Sequence, residues 1–160
     1  MSLPQVVDTG RLRLPLWTAD DVARVRDGER ASGWHPDFPR EDDRDAASIW
    51  RDGDPWGPRS IELDHVVVGS IRFFGPPEPA NDGVPETEVG YGLVEDARGA
   101  GVATEALTAL LAGADRAGVR IRASVLPDNT PSIRVLAKCG FTELRGSNGD
   151  GELVMARPLR

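Results

Sequence analysis

The stretch that most constrains this chain is residues 95–106, EDARGAGVATEA. An arginine precedes two glycines separated by one alanine. A helical pattern then begins, with Ala103, Leu107, Leu110, Leu111 and Ala114 at helical spacing over 102–117. Small residues at a helix start leave the first backbone N–H groups bare, and those groups act with the helix dipole to bind phosphate. A Walker loop would need a Gly-Lys pair, and none occurs. A dinucleotide fingerprint aligned on Gly99 and Gly101 meets Thr104 where its third glycine belongs. The acid expected further on is missing from VRIRASV, 119–125. A turn merely softened by glycine accounts for one glycine, but less well for Arg98, Gly99 and Gly101 together beside a helix start.

The flanking segments set the fold class. RLRLPL (11–16) alternates as a strand, and 19–30 is a charged, weakly helical run with Thr18 or Asp20 as its cap. GWHPDFPR (33–40) is a loop. Residues 41–51 begin acidic and end basic, as a helix dipole prefers. SIEL (60–63) and HVVVGSIRFF (65–74) form a hairpin that turns near Leu63–His65. Residues 75–86 read as a turn-rich loop. TEVGYGLV (87–94) is a strand whose two glycines mark a bulge or the close approach of another backbone. Gly118 ends the central helix, and VRIRASVL (119–126) alternates as a strand. A helix follows over 130–139, with Thr130 as cap and Pro131 at its first position. FTELRG and ELVMAR make a last strand pair. With no repeat and no linker, residues 1–160 read as one mixed α/β domain.

Arg98-Gly99-Ala100-Gly101-Val102-Ala103 resembles the phosphate loop of the GNAT acyltransferase superfamily, [Q/R]-x-x-G-x-[G/A]. The likeness continues on both sides, in EVGYGL (88–93), ATEALTALL, PDNTPSIRVLAKCGF (127–141) and the early RLRLPL. The ordered set covers most of the chain and is most similar to the branch that includes ribosomal-protein N-terminal acetyltransferases. The resemblance implies a GNAT-like fold, a mostly antiparallel sheet with a splayed strand pair and flanking helices. It implies coenzyme A or acetyl-coenzyme A as co-substrate, its pyrophosphate held by Arg98, Gly99, Ala100, Gly101, Val102, Ala103 and Thr104. Leu93 and Val94 hold the positions whose backbone meets the pantetheine arm, and Asn129 matches a position beside it. Asn129 reads equally as a turn former or cap. Dimers are common among similar proteins, so a homodimer belongs to the same expectation.

Acyl transfer to an amine needs that amine neutral, whereas an α-amine titrates at ~8 and a lysine at ~10.4. A base must therefore take a proton. Glu88, at the start of the glycine-containing strand, is the first candidate, with Glu62 and His35 as rivals. Exposed strand glutamates and solvated loop histidines are the plainer readings. Many family members protonate the leaving thiolate with a tyrosine, but that position here is Leu136. Ser132, the serine of N-x-x-S, matches a residue that assists the thiolate in this branch. Its structural alternative is a first-turn residue bonded to backbone. Trp34, Phe38 and Trp50 fall in the region that walls the acceptor cleft in relatives, although packing suits most of the tryptophans. Cys139 lacks an accompanying His–Asp arrangement and reads as a small buried hydrophobe.

Composition narrows the partners. A net charge of −7 disfavours general nucleic-acid binding, which needs a basic surface, and it can attract cationic amines. No apolar run is long enough to span a membrane, and the first residues show no basic-then-apolar signal pattern. With a single cysteine, this favours a cytoplasmic location. Two histidines 30 residues apart and no C-x-x-C or H-E-x-x-H give no metal-ligand spacing. The expected activity is direct N-acetyl transfer to a primary amine, either a protein N-terminus or a small-molecule amine. A non-catalytic acyl-coenzyme A-binding or sensor module is the alternative, kept open by the missing tyrosine.

Overall fold

The computed structural model describes residues 3–160. Strands β1 (Val6–Asp8) and β2 (Leu12–Pro15) lead to helices α1 (Ala19–Asp27) and α2 (Glu41–Ala47). Then follow β3 (Arg59–Leu63), β4 (Val66–Phe73), the short β5 (Glu78–Pro79) and β6 (Pro85–Leu93). Helix α3 (Val102–Arg116), strand β7 (Arg120–Val125), helix α4 (Thr130–Lys138) and strands β8 (Glu143–Ser147) and β9 (Leu153–Arg157) complete the chain. The strand order is β1-β2-β3-β4-β6-β7-β9-β8, with β5 also paired to β6. The named strands pair antiparallel except β6 with β7. This is the mixed α/β architecture expected from the sequence.

Local chemistry sets most boundaries. The Thr18 side chain accepts from the Asp21 N–H, and Asp21 returns a bond to the Thr18 N–H, so α1 starts on a capping box. Gly28 at φ 77° ends it three residues before the run of charge does. Asp64 and His65, both at positive φ, form the two-residue turn between β3 and β4, as the hairpin reading required. Three details differ from the sequence reading. β1 and β5 are too short to show alternation. α2 stops at Ala47, short of residue 51. Asn129, not Thr130, caps α4, because its Oδ1 reaches the Ser132 N–H at 3.3 Å.

The feature that positions the site is the incomplete pairing of β6 with β7. Glu86, Thr87 and Glu88 pair with Arg120, Ile121 and Arg122, and the ladder ends there. Beyond it, Val89–Leu93 stay paired to β4 on their other edge only. The strand pair is splayed. Buried Val89 and Leu93 join Val102, Leu107, Leu110, Ile121 and Leu136 in the core that fixes the angle between the strands.

Candidate active site

The splay opens into a cleft of about 540 Å³. Its walls are Tyr91, Gly92 and Leu93 of β6, the loop and first turn of α3, and the first turns of α4. Arg98, Gly99, Gly101, Val102, Ala103 and Thr104 all line it. Gly99 and Gly101 have φ of 81° and 76°, the left-handed region that glycine enters without strain. A Cβ on either would meet nothing within 4 Å. Conformation, rather than local crowding, therefore calls for glycine here. Gly101 is the N-cap of α3, and no side chain caps it, so the first-turn N–H groups face the cleft without a side-chain partner.

The loop is braced from outside. The Arg11 guanidinium donates to the Ala100 carbonyl at 3.3 Å and pairs with Glu105 at 3.2 Å. Ala100 itself does not line the cleft. Arg98 Nε donates to the Leu93 carbonyl at 3.1 Å, tying the loop to the end of β6. Leu93 lines the cleft, but Val94 does not offer a free amide. Its N–H donates to the Val68 carbonyl at 2.8 Å, its carbonyl accepts from Ala97, and its side chain is buried. Backbone pairing with β4 thus consumes the amide that the sequence reading assigned to pantetheine. Asn129 lines the cleft while capping α4, so both readings of this residue hold geometrically.

Ser132 faces the cleft, and its hydroxyl lies 2.9 Å from the Tyr91 hydroxyl. Tyr91 is the chain's only tyrosine and sits between two glycines of β6. Burial pushes its phenol above the ordinary value, and the Ser132 bond works against that shift. The position the sequence reading compared with the usual tyrosine, Leu136, is buried in the core. A tyrosine hydroxyl therefore reaches α4 from a different element. The signal was its isolation in EVGYGL. Arg134 and Lys138, one turn apart on α4, add two cations to the cleft wall.

Glu88 sits elsewhere. It closes the β6–β7 ladder, accepts from Arg122 Nε at 3.2 Å, and lines a second cavity of about 290 Å³ with Phe74, Glu86 and Arg122. Alternation puts Glu88, Gly90 and Gly92 on one face of β6 and Tyr91 on the other. Its rivals are occupied away from the cleft. Glu62 pairs with Arg13 at 2.9 Å. His35 Nδ1 accepts from the Asp37 N–H at 3.0 Å, and its Nε2 lies 3.1 Å from Asp96. His35, Asp37 and Asp96 bring an imidazole nitrogen and two carboxylates within 4.8 Å of one another, a grouping that the spacing in the sequence does not show. Trp34 stacks edge-on against buried Phe38, and the Trp50 indole donates to the Trp17 carbonyl, so these aromatics pack. Cys139 is buried against Thr108, and burial pushes its thiol up.

Comparisons with known proteins agree with this geometry. A family model described as the acetyltransferase (GNAT) domain matches residues 11–142. Among solved structures, RimJ from Mycobacterium smegmatis, in complex with CoA-disulfide, is 28% identical with a TM-score of 0.61; the match covers 98% of this chain and 86% of that one. An acetyltransferase from Agrobacterium tumefaciens is 24% identical with a TM-score of 0.68, over 99% and 96% of the two chains. The ribosomal-protein-S5-alanine acetyltransferase of Vibrio fischeri shares the fold at 16% identity, with a TM-score of 0.65 over 96% of each chain. A comparison with curated proteins finds no match.

Proposed function

This chain belongs to the GNAT acetyltransferase family, and from that premise we propose that it moves an acetyl group from acetyl-coenzyme A to a primary amine by direct transfer in a ternary complex. One observation carries the reading. The unpaired edge of β6 runs into the uncapped start of α3, and the Ser132–Tyr91 hydroxyl pair stands over the same cleft. In this reading the N–H groups at Gly99–Thr104 and the Arg98 side chain receive the pyrophosphate. Leu93 and Asn129 border the pantetheine arm. The coenzyme A complex of the RimJ relative supports this choice of co-substrate.

The amine reacts in its neutral form, its proton released to solvent, because Glu88 is paired with Arg122 in the second cavity and does not line the cleft. The amine nitrogen bonds to the thioester carbon, the C–S bond breaks, and the proton that the nitrogen loses in becoming an amide is relayed to the thiolate through the Ser132 hydroxyl, which Tyr91 holds in place. A thiol of pKa ~8.5, by analogy with cysteine, leaves tolerably as a thiolate near neutral pH, so this donor assists rather than decides. The acceptor is a protein N-terminus or a small-molecule amine.

The test is thioester consumption against a panel of peptides and small amines. Initial-rate plots that intersect, with acetylated amine as product, support direct transfer. Coenzyme binding without thioester consumption on any amine would instead identify an acyl-coenzyme A-binding module.

A further inference from the structure

Helix α3 carries an acid at the end proposed to receive phosphate. Glu105 lies in its first turn, and its N–H donates to the carbonyl of the N-cap Gly101 at 3.0 Å. A carboxylate there suits the helix dipole, which favours negative charge at an N-terminus. Phosphates at Gly99–Thr104 call on the same positive end. An unbalanced Glu105 would therefore repel the ligand that the loop is shaped to take.

Glu105 is not free to turn away. The Thr9 hydroxyl donates to its Oε2 at 2.5 Å. Thr9 is fixed in the β1–β2 turn, where its Oγ1 accepts from the Leu12 N–H at 2.9 Å and its own N–H donates to the Leu12 carbonyl at 3.0 Å. The other carboxylate oxygen, Oε1, meets Arg11 Nε at 3.2 Å. Both terminal nitrogens of Arg11 donate to the Ala100 carbonyl at 3.3 Å. One guanidinium thus joins the acid of the first turn to the phosphate loop, from a hairpin 89 positions earlier in the chain. Neither Arg11 nor Glu105 lines the cleft, so Arg11 does not reach the coenzyme itself. The two side chains are 42% and 32% exposed, and an ion pair this wet adds little to stability. Its effect belongs on the charge that a ligand meets at the helix start.

We propose that Arg11 is a positioning residue for coenzyme binding: as the counter-ion of Glu105, it lets the first turn of α3 keep its acid and still accept a polyanion. This rests on the coenzyme A reading above and adds to it a residue that works through Glu105.

The experiment measures coenzyme A affinity by calorimetry, in low and high salt, for the wild type, Arg11→Gln, Arg11→Lys, Glu105→Gln and the double variant Arg11→Gln/Glu105→Gln. In low salt, Arg11→Gln should bind about tenfold more weakly than the wild type. Arg11→Lys keeps the charge and should lose less than threefold. Glu105→Gln should bind at least as tightly as the wild type. The double variant should return to within threefold of it, because the acid that needed balancing is gone. In high salt the gap between Arg11→Gln and wild type should close, as screening predicts for a partly exposed charge. A brace that only props the loop would leave the double variant as weak as Arg11→Gln and the gap insensitive to salt. Either result would overturn the assignment, as would unchanged affinity in Arg11→Gln. Should Arg11→Gln not fold, Glu105→Gln decides: affinity equal to or above wild type supports the counter-ion role, and weaker binding overturns it. A wild type that binds no coenzyme A would mark failure of the coenzyme reading, and this assignment would fall with it. A wild type that binds, with variants that all match it, would refute Arg11 alone.

Discussion

The two halves of strand β6 share one backbone and have opposite chemistry. At its root, Glu86 is buried beneath three guanidinium groups: Arg120 at 2.6 Å, Arg122 at 2.8 Å and Arg145 at 2.9 Å. Backbone pairing is complete there, with β5 and β7 both in register. Past Glu88 the β7 ladder stops, the side chains shrink to Gly90 and Gly92, and the polar groups are left partly open. The root spends its charges on itself and sets the angle of the splay. The open half keeps donors that the fold does not use. A site of this kind is recognised by what remains unsatisfied next to something fully satisfied.

The largest effect should come from filling the phosphate loop that completes the open half. Gly101→Glu adds a left-handed penalty of about 1–2 kcal/mol and sets a carboxylate where the phosphates are proposed to lie. Calorimetry should show coenzyme A affinity falling at least a hundredfold. Gly101→Ala carries the strain without the charge and should lose much less. Equal losses in the two variants would make loop conformation, not phosphate contact, the property of the open half.

The root is tested by Glu86→Gln. Burial pushes the Glu86 carboxyl up, but the hydrogen bonds from Arg145, Arg120 and Arg122 outweigh it and bring the pKa down to about 2. Measured from an ordinary value near 4.5, that shift corresponds to about 3 kcal/mol of stability. Between those two values the unfolded chain binds the extra proton. The contribution is therefore fully present above about pH 4.5 and is lost as pH falls through about 2. Glu86→Gln should lower the melting temperature by about 6–12 °C at neutral pH. The gap between variant and wild type should narrow on acidification. A gap that stays constant down to pH 3 would remove electrostatics as the reason the root is closed.

How much of this could be read in the sequence follows from the range of each signal. The α3 pattern and the glycines of its loop are local, and both were legible. So were the β3–β4 turn and the splayed strand pair carried by the family likeness. Pairing across distance was not. Tyr91 meets Ser132 across 41 positions, and nothing in either segment announces the other. The loss of the Val94 amide to Val68 depends on how β4 begins, a matter of register rather than composition. Glu86 and Glu88, two residues apart on the same face, are equivalent in pattern. Only the arginines of β7 and β8 separate the buried one from the partly buried one.

A smaller effect should follow at the hydroxyl pair. Ser132→Ala removes the proposed thiolate partner and leaves the partly buried Tyr91 hydroxyl without its 2.9 Å contact. Proton transfer from a positioned group contributes ~10²–10⁴-fold when it is essential. A thiolate that is a fair leaving group unaided places the expected fall in kcat lower, at about tenfold, with coenzyme affinity within a few fold. Tyr91→Phe should give a similar fall if the pair acts as a unit. Wild-type kcat in both, under conditions where chemistry limits turnover, would assign Ser132 to the α4 terminus alone.

The smallest effect belongs to Cys139, which tests whether the open half works without a covalent relay. A relay would need a thiolate beside the acyl group. Cys139 instead sits at the end of α4, buried, 3.7 Å from the Thr108 hydroxyl and 3.9 Å from the Thr104 carbonyl, and it does not line the cleft. Burial raises its pKa, which disfavours the nucleophilic form. Removing the sulfur should cost about 1 kcal/mol of packing and leave the chemistry intact. Cys139→Ala should therefore keep kcat within twofold once an acceptor is in hand, with a slightly lower melting temperature. Mass spectrometry of the wild type after incubation with acetyl-coenzyme A should find no acyl group on Cys139. An adduct there that passes its acyl group to an added amine would replace direct transfer with a two-step route, and would move the reactive centre from the open edge of β6 to the buried side of α4.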